Sequence, residues 1–466
     1  MTYLGLPGRG PRRAAATASV LLLPLVLGAC SDDGTATPPP AATPAATASG
    51  ARCATDPLPA DPAAPEKTGT ETAGTETAGT ETPGTEKTGT EKTVSGAYTV
   101  EGGRDVSTPR RKRFSARTAD RSAVLVSGPG TLSTRDSGVH KSGRTTSVTA
   151  SGAQGLNAAV LVRDGGGLAL SGGEMTTSGR GATGVFATGE DTRATMSANR
   201  ITATGASARG VTAARGASLA LRYTEIRTAG AQSPPVAAGP GGGRVTVSGG
   251  TMTSAGCGSP GVLTAGDVSL SGTLFTVANS EAFTVEPGGS LSLENVRSSA
   301  AAGGVLLRGS GETSYTMEGG SLQAAEGDVF TVRETVADVR LKGRAEVTTK
   351  DGALLRVRDS GSVTFEAEDE RLHGDVLVSD GSAAVRLTGS TRLDGRVKGA
   401  SLSLGAGTRW TVGGDSRVEE LTLRGGVSPS DVIVGNGHDV SYDRAASPGL
   451  GGRTYRLAGG GVLRPA

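Results

Sequence analysis

The sequence predicts an all-β protein, a parallel β-solenoid of about 11–13 coils. One reason is a recurring phrase: an apolar–polar–apolar triplet, a small or glycine turn and a further apolar residue, as in Leu168–Met175 and Val245–Met252. These phrases begin mostly 23 to 26 residues apart, and a second short apolar strand such as Ala182–Phe186 lies between them. Alternation over three to five residues is strand periodicity, and a fixed period of 20 to 50 residues indicates stacked repeats with a shared core.

The composition fits such a solenoid. The chain has 466 residues with 75 glycines and 3% aromatic residues, which favours tight turns and a core of Val, Leu, Ala and Thr. This length exceeds one compact core but suits a rod that grows by adding coils. A net charge of +2 does not support nucleic-acid binding, so no nucleic acid is expected as a partner.

Residues 1–29 have the features of a secretory signal. Three arginines precede the apolar run Val20–Leu27, which is too short to span a bilayer permanently. The sequence Leu-Gly-Ala-Cys at residues 27–30 resembles the lipobox of bacterial lipoproteins. The resemblance implies cleavage between Ala29 and Cys30, and lipidation of the Cys30 thiol by a diacylglyceryl group with fatty acids such as palmitate. The membrane is then a partner through this lipid anchor; the alternative is an ordinary secretory signal with a chance cysteine.

Residues 30–95 are predicted to form a disordered linker rich in Pro, Thr and Glu. A pentapeptide, Gly-Thr-Glu-Thr/Lys-x, recurs from Gly69 onward, and the segment has almost nothing apolar to bury. A chain of this length reaches about 45 Å. We expect a spacer that holds an extracytoplasmic, surface-exposed domain away from the cell membrane.

Residues 96–435 are predicted to form the solenoid and residues 436–466 a C-terminal cap. A distinct cap is expected because an open solenoid end exposes unpaired strand edges. The third residue of each triplet should form an internal ladder. Its predicted members are Leu221, Val247, Leu270, Leu293, Met317, Leu341, Phe365, Leu387 and Leu404.

Two C-terminal segments carry a family resemblance. Thr408–Ser416, followed by Leu-Thr-Leu at residues 421–423, resembles the passenger stem of adhesin-like and autotransporter β-helices. The ending Tyr455–Pro465 is similar to secreted right-handed β-helix proteins of Gram-positive bacteria. The resemblance implies a right-handed parallel β-helix, a pectate-lyase-like solenoid, with an adhesin-like role at the cell surface. The alternating aromatic strands of a translocator barrel are not found before Ala466, so a complete autotransporter is not expected.

An enzymatic alternative must be weighed, because many β-helices of this kind are polysaccharide lyases or glycoside hydrolases. Glycoside hydrolysis needs two carboxylates that face one cleft. The best acidic cluster comprises Glu366, Glu368, Asp369, Glu370 and Asp375. An extended segment would place Glu366, Glu368 and Glu370 on one side. Charged residues otherwise look scattered along the coils, so we favour a solvated bulge here and a non-enzymatic protein.

The remaining polar candidates are weaker. The basic run Arg110–Arg113 is either a polyanion site or a solvated loop, and the loop is favoured because no aromatic residue is interleaved. The three histidines are far apart in sequence, so neither a metal site nor a cofactor is expected.

The other two cysteines, Cys53 and Cys257, are either joined by a disulfide or separate. A disulfide between Cys53 and Cys257 is allowed outside the cytoplasm, but the preferred interpretation is a small buried Cys257 and an incidental Cys53. Taken as a whole, the sequence predicts a lipid-anchored, surface-exposed protein that binds cell-wall or host polysaccharide or protein. The alternative is a polysaccharide lyase or hydrolase of the same fold.

Overall fold

The fold is an all-β parallel solenoid of about 15 turns with almost no helix. The computed structural model describes Cys53 and residues 94–466. The predicted signal peptide, the lipidation and cleavage site at Ala29 and Cys30, and nearly all of the predicted linker lie outside the described residues. Within the described part of the chain, neither helix is long and apolar enough to cross a bilayer.

The strands are short and numerous. Before the single helix of the solenoid body, α1 (Val148–Gln154), they are β1 (Ser95–Val100), β2 (Val106–Ser107), β3 (Arg113–Ala116), β4 (Arg121–Ser127) and β5 (Thr131–Lys141). The next group comprises β6 (Val160–Arg163), β7 (Gly167–Thr177), β8 (Val185–Thr188), β9 (Arg193–Ser197), β10 (Arg200–Ala203), β11 (Val211–Ala214), β12 (Ser218–Thr228), β13 (Val236–Ala238), β14 (Arg244–Ser254), β15 (Val262–Thr264), β16 (Asp267–Ser271), β17 (Leu274–Val277), β18 (Glu281–Val285), β19 (Ser290–Glu294) and β20 (Arg297–Ala300).

The C-terminal half continues the same pattern. Its strands are β21 (Gly303–Arg308), β22 (Glu312–Glu318), β23 (Ser321–Ala324), β24 (Phe330–Arg333), β25 (Val336–Lys342), β26 (Glu346–Thr349), β27 (Leu355–Arg358), β28 (Gly361–Glu368), β29 (Arg371–His373), β30 (Val376–Val378), β31 (Gly381–Thr388), β32 (Arg392–Gly395), β33 (Val397–Leu404), β34 (Arg409–Val412) and β35 (Ser416–Leu423). The end of the chain has α2 (Pro429–Val432), β36 (Ile433–Val434), β37 (Val440–Tyr442), a 3₁₀ turn (Pro448–Leu450), β38 (Tyr455–Arg456) and β39 (Val462–Pro465).

Each complete coil contributes strands to three parallel stacks. The first stack runs through β4, β6, β8 and β11 to β27 and β30; the second runs through β7, β9, β12 and β14 to β28 and β31. The third contains β10, β17, β20, β23 and β26, together with the second halves of the long strands such as β12 and β14. The prediction of 11–13 coils is too low because stacking continues past residue 435, where β37 pairs in parallel with β35 and β39 with β37. At that end β38 pairs antiparallel with β39.

The predicted internal ladder is confirmed from Leu221 to Leu341. Each member pairs with the next through Val247, Leu270, Leu293 and Met317, and all are buried.

Phe365 is wrongly placed in that ladder. Leu341 pairs with Ala367, whereas Phe365 pairs with Val339 on the preceding coil. A shift of two residues leaves both side chains on the buried face, so alternation alone cannot detect it.

A left-handed backbone residue forms the corner between the second and third stacks. Equivalent corner positions in consecutive coils hold Asp136, Gly172, Ala198, Tyr223, Gly249, Gly272, Asn295 and Gly319, and all have φ between 48° and 65°. Gly, Asn and Asp tolerate this region best, which accounts for part of the high glycine content.

Cys53 and Cys257 form a disulfide, with 5.7 Å between their Cα atoms. The expectation of a buried Cys257 and an incidental Cys53 is therefore wrong. Cys257 lies in the turn between β14 and β15 and is only half-buried, which leaves its sulfur within reach of Cys53. The long separation of 204 residues is no barrier, because loop-closure entropy grows only slowly with loop length.

Candidate functional site

The third stack is interrupted between β26 and β29. β26 pairs with β23, whereas β29 pairs with β32 and belongs to a separate four-stranded sheet of β29, β32, β34 and β36. The coils also shorten here: Leu341 and Ala367 are 26 residues apart, but Ala367 and its next partner Leu387 only 20. The shortened coil keeps its pairing on the first and second stacks, through β27–β30 and β28–β31, but β26 and β29 do not pair, so the third side opens.

This interruption forms a cleft of about 560 Å³. We call it the sheet-break cleft. Three arginines and three carboxylates line it, together with a histidine and smaller residues. The charged members are Arg344, Glu346, Asp369, Glu370, Arg371, His373 and Arg392.

Glu370 lies at the floor of the sheet-break cleft and is 1% exposed. Thr391 holds the equivalent inward place on the next coil, and its hydroxyl accepts a hydrogen bond from the Glu370 N–H at 3.2 Å. Neither carboxylate oxygen of Glu370 has a hydrogen-bond partner of normal geometry. Burial therefore raises the pKa of Glu370, opposed by the nearby backbone N–H groups of Ala345 and Arg344.

The predicted side-by-side arrangement of Glu366, Glu368 and Glu370 is wrong. Asp369 adopts a left-handed conformation with φ of 58°, so the chain turns a corner and Glu370 points inward while Glu368 stays exposed. Glu366 instead lies on the outer surface of the second stack, 3.5 Å from Arg340 and 3.4 Å from Arg386.

The other two acidic candidates are held by hydrogen bonds. Asp369 accepts one from the Ser390 backbone N–H at 2.8 Å and one from its hydroxyl at 2.9 Å, and these bonds lower the pKa of Asp369. Asp375 accepts two from Arg396, both at 2.8 Å. Only Asp369 and Glu370 of the five predicted residues line the cleft, so the cluster does not form one carboxylate site.

Sequence reasoning missed a column of arginines beside the cleft. Parallel pairing places Arg371, Arg392 and Arg409 above one another on consecutive coils. The signal was present, since each begins a short strand of the form Arg-apolar-polar: Arg-Leu-His, Arg-Leu-Asp and Arg-Trp-Thr. The expectation that charged residues are scattered over the coils is therefore incorrect for this sheet.

The histidines occupy three separate places. His140 contacts the Thr176 hydroxyl at 2.8 Å, His373 lies 3.4 Å from Asp394, and His438 lies 3.7 Å from Asp415. Across the described residues, no group of three or more His, Cys, Asp or Glu side chains is arranged to hold a metal ion.

Two residues of the basic run Arg110–Arg113, Arg111 and Arg113, line a shallow depression of about 910 Å³. Arg110 forms an ion pair with Asp136 at 2.6 Å, and Glu174 and Glu225 also line the depression. Acidic residues from later coils thus offset the charge of this run.

The chain is similar to the BrkA autotransporter of Bordetella pertussis, with 28% identity over 292 residues. The match covers 56% of this chain and 26% of that protein, so the chain spans about a quarter of the relative's length. No protein-family model matches the chain. Together with the parallel solenoid, the similarity supports a β-helix protein of autotransporter-like type.

Proposed function

We propose that this chain is a surface-exposed lipoprotein whose solenoid is a non-enzymatic, adhesin-like or cell-envelope binding module. Its partner in this proposal is a cell-wall or host polysaccharide or protein, and Cys30 anchors it to the membrane. Similarity to an autotransporter supports the location at the cell surface, and the lipobox-like sequence at residues 27–30 supports the anchor.

One observation carries the binding role: an outward column of short side chains on the second stack. It continues in register over eight consecutive coils, through Ser133, Ala169, Thr195, Ala220, Thr246, Ser269, Ser292 and Thr316. Parallel strands lie about 4.8 Å apart, so the column presents an even, flat row of hydroxyl and methyl groups about 34 Å long. Such a surface can hydrogen-bond an extended polymer without a deep pocket.

The second candidate function is polysaccharide hydrolysis at the sheet-break cleft. The raised pKa of Glu370 favours it, because a carboxyl group that stays protonated is suited to be a general acid. Two features argue for binding instead. The carboxylate oxygens of Glu370 are shielded from the surface, and the adjacent Asp369 is engaged by Ser390.

Protease treatment of intact cells tests the proposed location. We expect the protease to cleave the solenoid on intact cells that express the full chain. In a separate assay, cells that lack the protein should adhere less to polysaccharide- or matrix-coated surfaces. Protection of the solenoid until the cells are lysed would contradict surface exposure. Unchanged adhesion would contradict the binding role.

A further inference from the structure

Tyr223 is a bulky aromatic residue at a corner of the solenoid that favours glycine. It occupies a left-handed corner with φ of 48°, where the neighbouring coils hold Ala198 and Gly249. A bulky side chain is strained in this conformation. Tyr223 is also 74% exposed, the only exposed aromatic side chain among the described residues. Strain and exposure at one aromatic residue point to a role outside folding.

The tyrosine ring lies along the rod over the corner of the next coil. A Cβ atom on Gly249 would be only 2.9 Å from the ring, so the glycine leaves the space that the ring occupies. The ring therefore forms a flat apolar surface at the ridge between the second and third stacks.

A shallow groove of about 390 Å³ lies next to this ridge on the second stack. Its floor consists of the short side chains Ala169, Thr195 and Ala220, from the column described above. Tyr223 does not line this groove but directly follows Arg222 at its end, where the ring extends beyond the groove over Gly249. We call it the Tyr223 groove after this neighbour.

Two arginines stand at the ends of the groove's outer edge. Parallel pairing aligns Arg135, Ser171, Ser197 and Arg222 in one column over four coils. Arg135 and Arg222 are thus three coils apart, about 14 Å, with two serine hydroxyls between them. Both arginines are exposed, and no carboxylate lines the groove among the described residues.

This combination is chemically specific. Guanidinium groups pair with carboxylate or sulfate oxygens through two hydrogen bonds. Serine and threonine hydroxyls donate and accept hydrogen bonds with sugar hydroxyls. An aromatic ring gives a large contact area at little entropic cost. A polymer with repeated anionic groups, hydroxyls and a flat apolar ring face satisfies all three.

We infer that the Tyr223 groove binds an acidic polysaccharide, with Arg135 and Arg222 pairing with its anionic groups and Tyr223, just beyond the groove's end, against a further sugar ring. This inference rests on the proposed binding function and names the ligand class and the residues. Nucleic acid is disfavoured because it would call for several stacking residues and a broad basic surface.

The corner position of Tyr223 allows a sharp test with the full chain. Tyr223→Gly places the residue best suited to the conformation at this corner, so stability should stay equal or rise. We expect the affinity of the Tyr223→Gly variant for polygalacturonate or heparin to fall at least tenfold. The affinity of the Arg222→Gln variant should fall by a similar factor. Polygalacturonate offers carboxylates only, heparin offers sulfates in addition to carboxylates, and dextran is the neutral polymer.

Matched controls separate the groove from the surface in general. Ala198→Gly changes the same corner one coil earlier, and Arg244→Gln removes an arginine of the same stack that lies outside the groove, 3.6 Å from Asp267. Both should bind like the wild type. Wild-type affinity in Tyr223→Gly and Arg222→Gln would overturn the groove assignment but leave the proposed function standing. Equal binding of dextran or double-stranded DNA by the wild type would overturn the ligand class.

Discussion

Replacing Leu341 by Asp should disrupt the coils on either side of it. Leu341 is 1% exposed and pairs with Met317 and Ala367, inside the ladder that supports the whole rod. Loss of the buried leucine alone costs about 1.5–3 kcal/mol. A carboxylate there has no charged or hydrogen-bonding partner, which brings the total to about 4–5 kcal/mol.

Arg340→Gln is the matched control one residue away. The Arg340 side chain is 56% exposed and lies 2.9 Å from Asp338 and 3.5 Å from Glu366. Exposed ion pairs contribute little, so this change should cost less than about 1 kcal/mol.

Hydrogen exchange is the suitable assay because long repeat arrays need not unfold as one unit. In Leu341→Asp, amide protection should fall first in β22, β25 and β28, while β7 and β12 keep theirs. In Arg340→Gln the protection pattern should match the wild type. Equal losses in both variants, or a loss spread evenly over all coils after Leu341→Asp, would refute the assigned register and the coil-by-coil stability.

Three further predictions concern the anchor, the disulfide and the buried acid. Cys30→Ser should move the protein from the membrane fraction to the medium, because a stable anchor needs the lipid chains; a wild-type protein found wholly in the medium would contradict lipidation. Cys257→Ser should lower the free energy of unfolding by about 2–4 kcal/mol, and reductant should destabilise the wild type but not the variant; equal sensitivity to reductant in both would argue against the Cys53–Cys257 bond. The folded-state pKa of Glu370 is raised above its ordinary value of 4.5, so its stabilising contribution is complete below pH 4.5 and is lost as the pH rises through the raised pKa. Glu370→Gln should remove that part of the pH dependence in denaturant melts from pH 4 to 8, and an unchanged profile would show that Glu370 is not its source.

The fold could be predicted because the same strand pattern recurs in every coil of the repeat. Each coil repeats the same alternation, and the parallel stack then follows from the need to bury one face of every strand. The sequence determines coil number and register less completely. The error at Phe365 arose because alternation has a period of two, and a coil lengthened by two residues looks the same to it.

The candidate sites were harder to predict because they depend on which residues the stacking aligns. Arg135 and Arg222 are 87 positions apart in sequence yet share one column. Glu370 looked like part of an acidic run, but the left-handed Asp369 turns it inward.

The burial of Lys141 could not be predicted from the sequence either. It is fully buried, its ammonium group donates hydrogen bonds to the carbonyl oxygens of Thr118 and Gly143 at 2.9 and 3.0 Å, and burial lowers its pKa to about 8, opposed by Asp120. No sequence pattern marks a lysine for such a position.

Simultaneous measurement of binding and turnover decides whether the solenoid binds polysaccharide without cleaving it. The full-length protein is incubated with polygalacturonate, alginate, a glycosaminoglycan or peptidoglycan, with and without Ca²⁺, while bound protein and new reducing or unsaturated ends are followed. We expect saturable binding of at least one acidic polymer, with no new ends above the protein-free control. New ends that appear with the wild type and disappear in Glu370→Gln would contradict it, and would make the sheet-break cleft an active site.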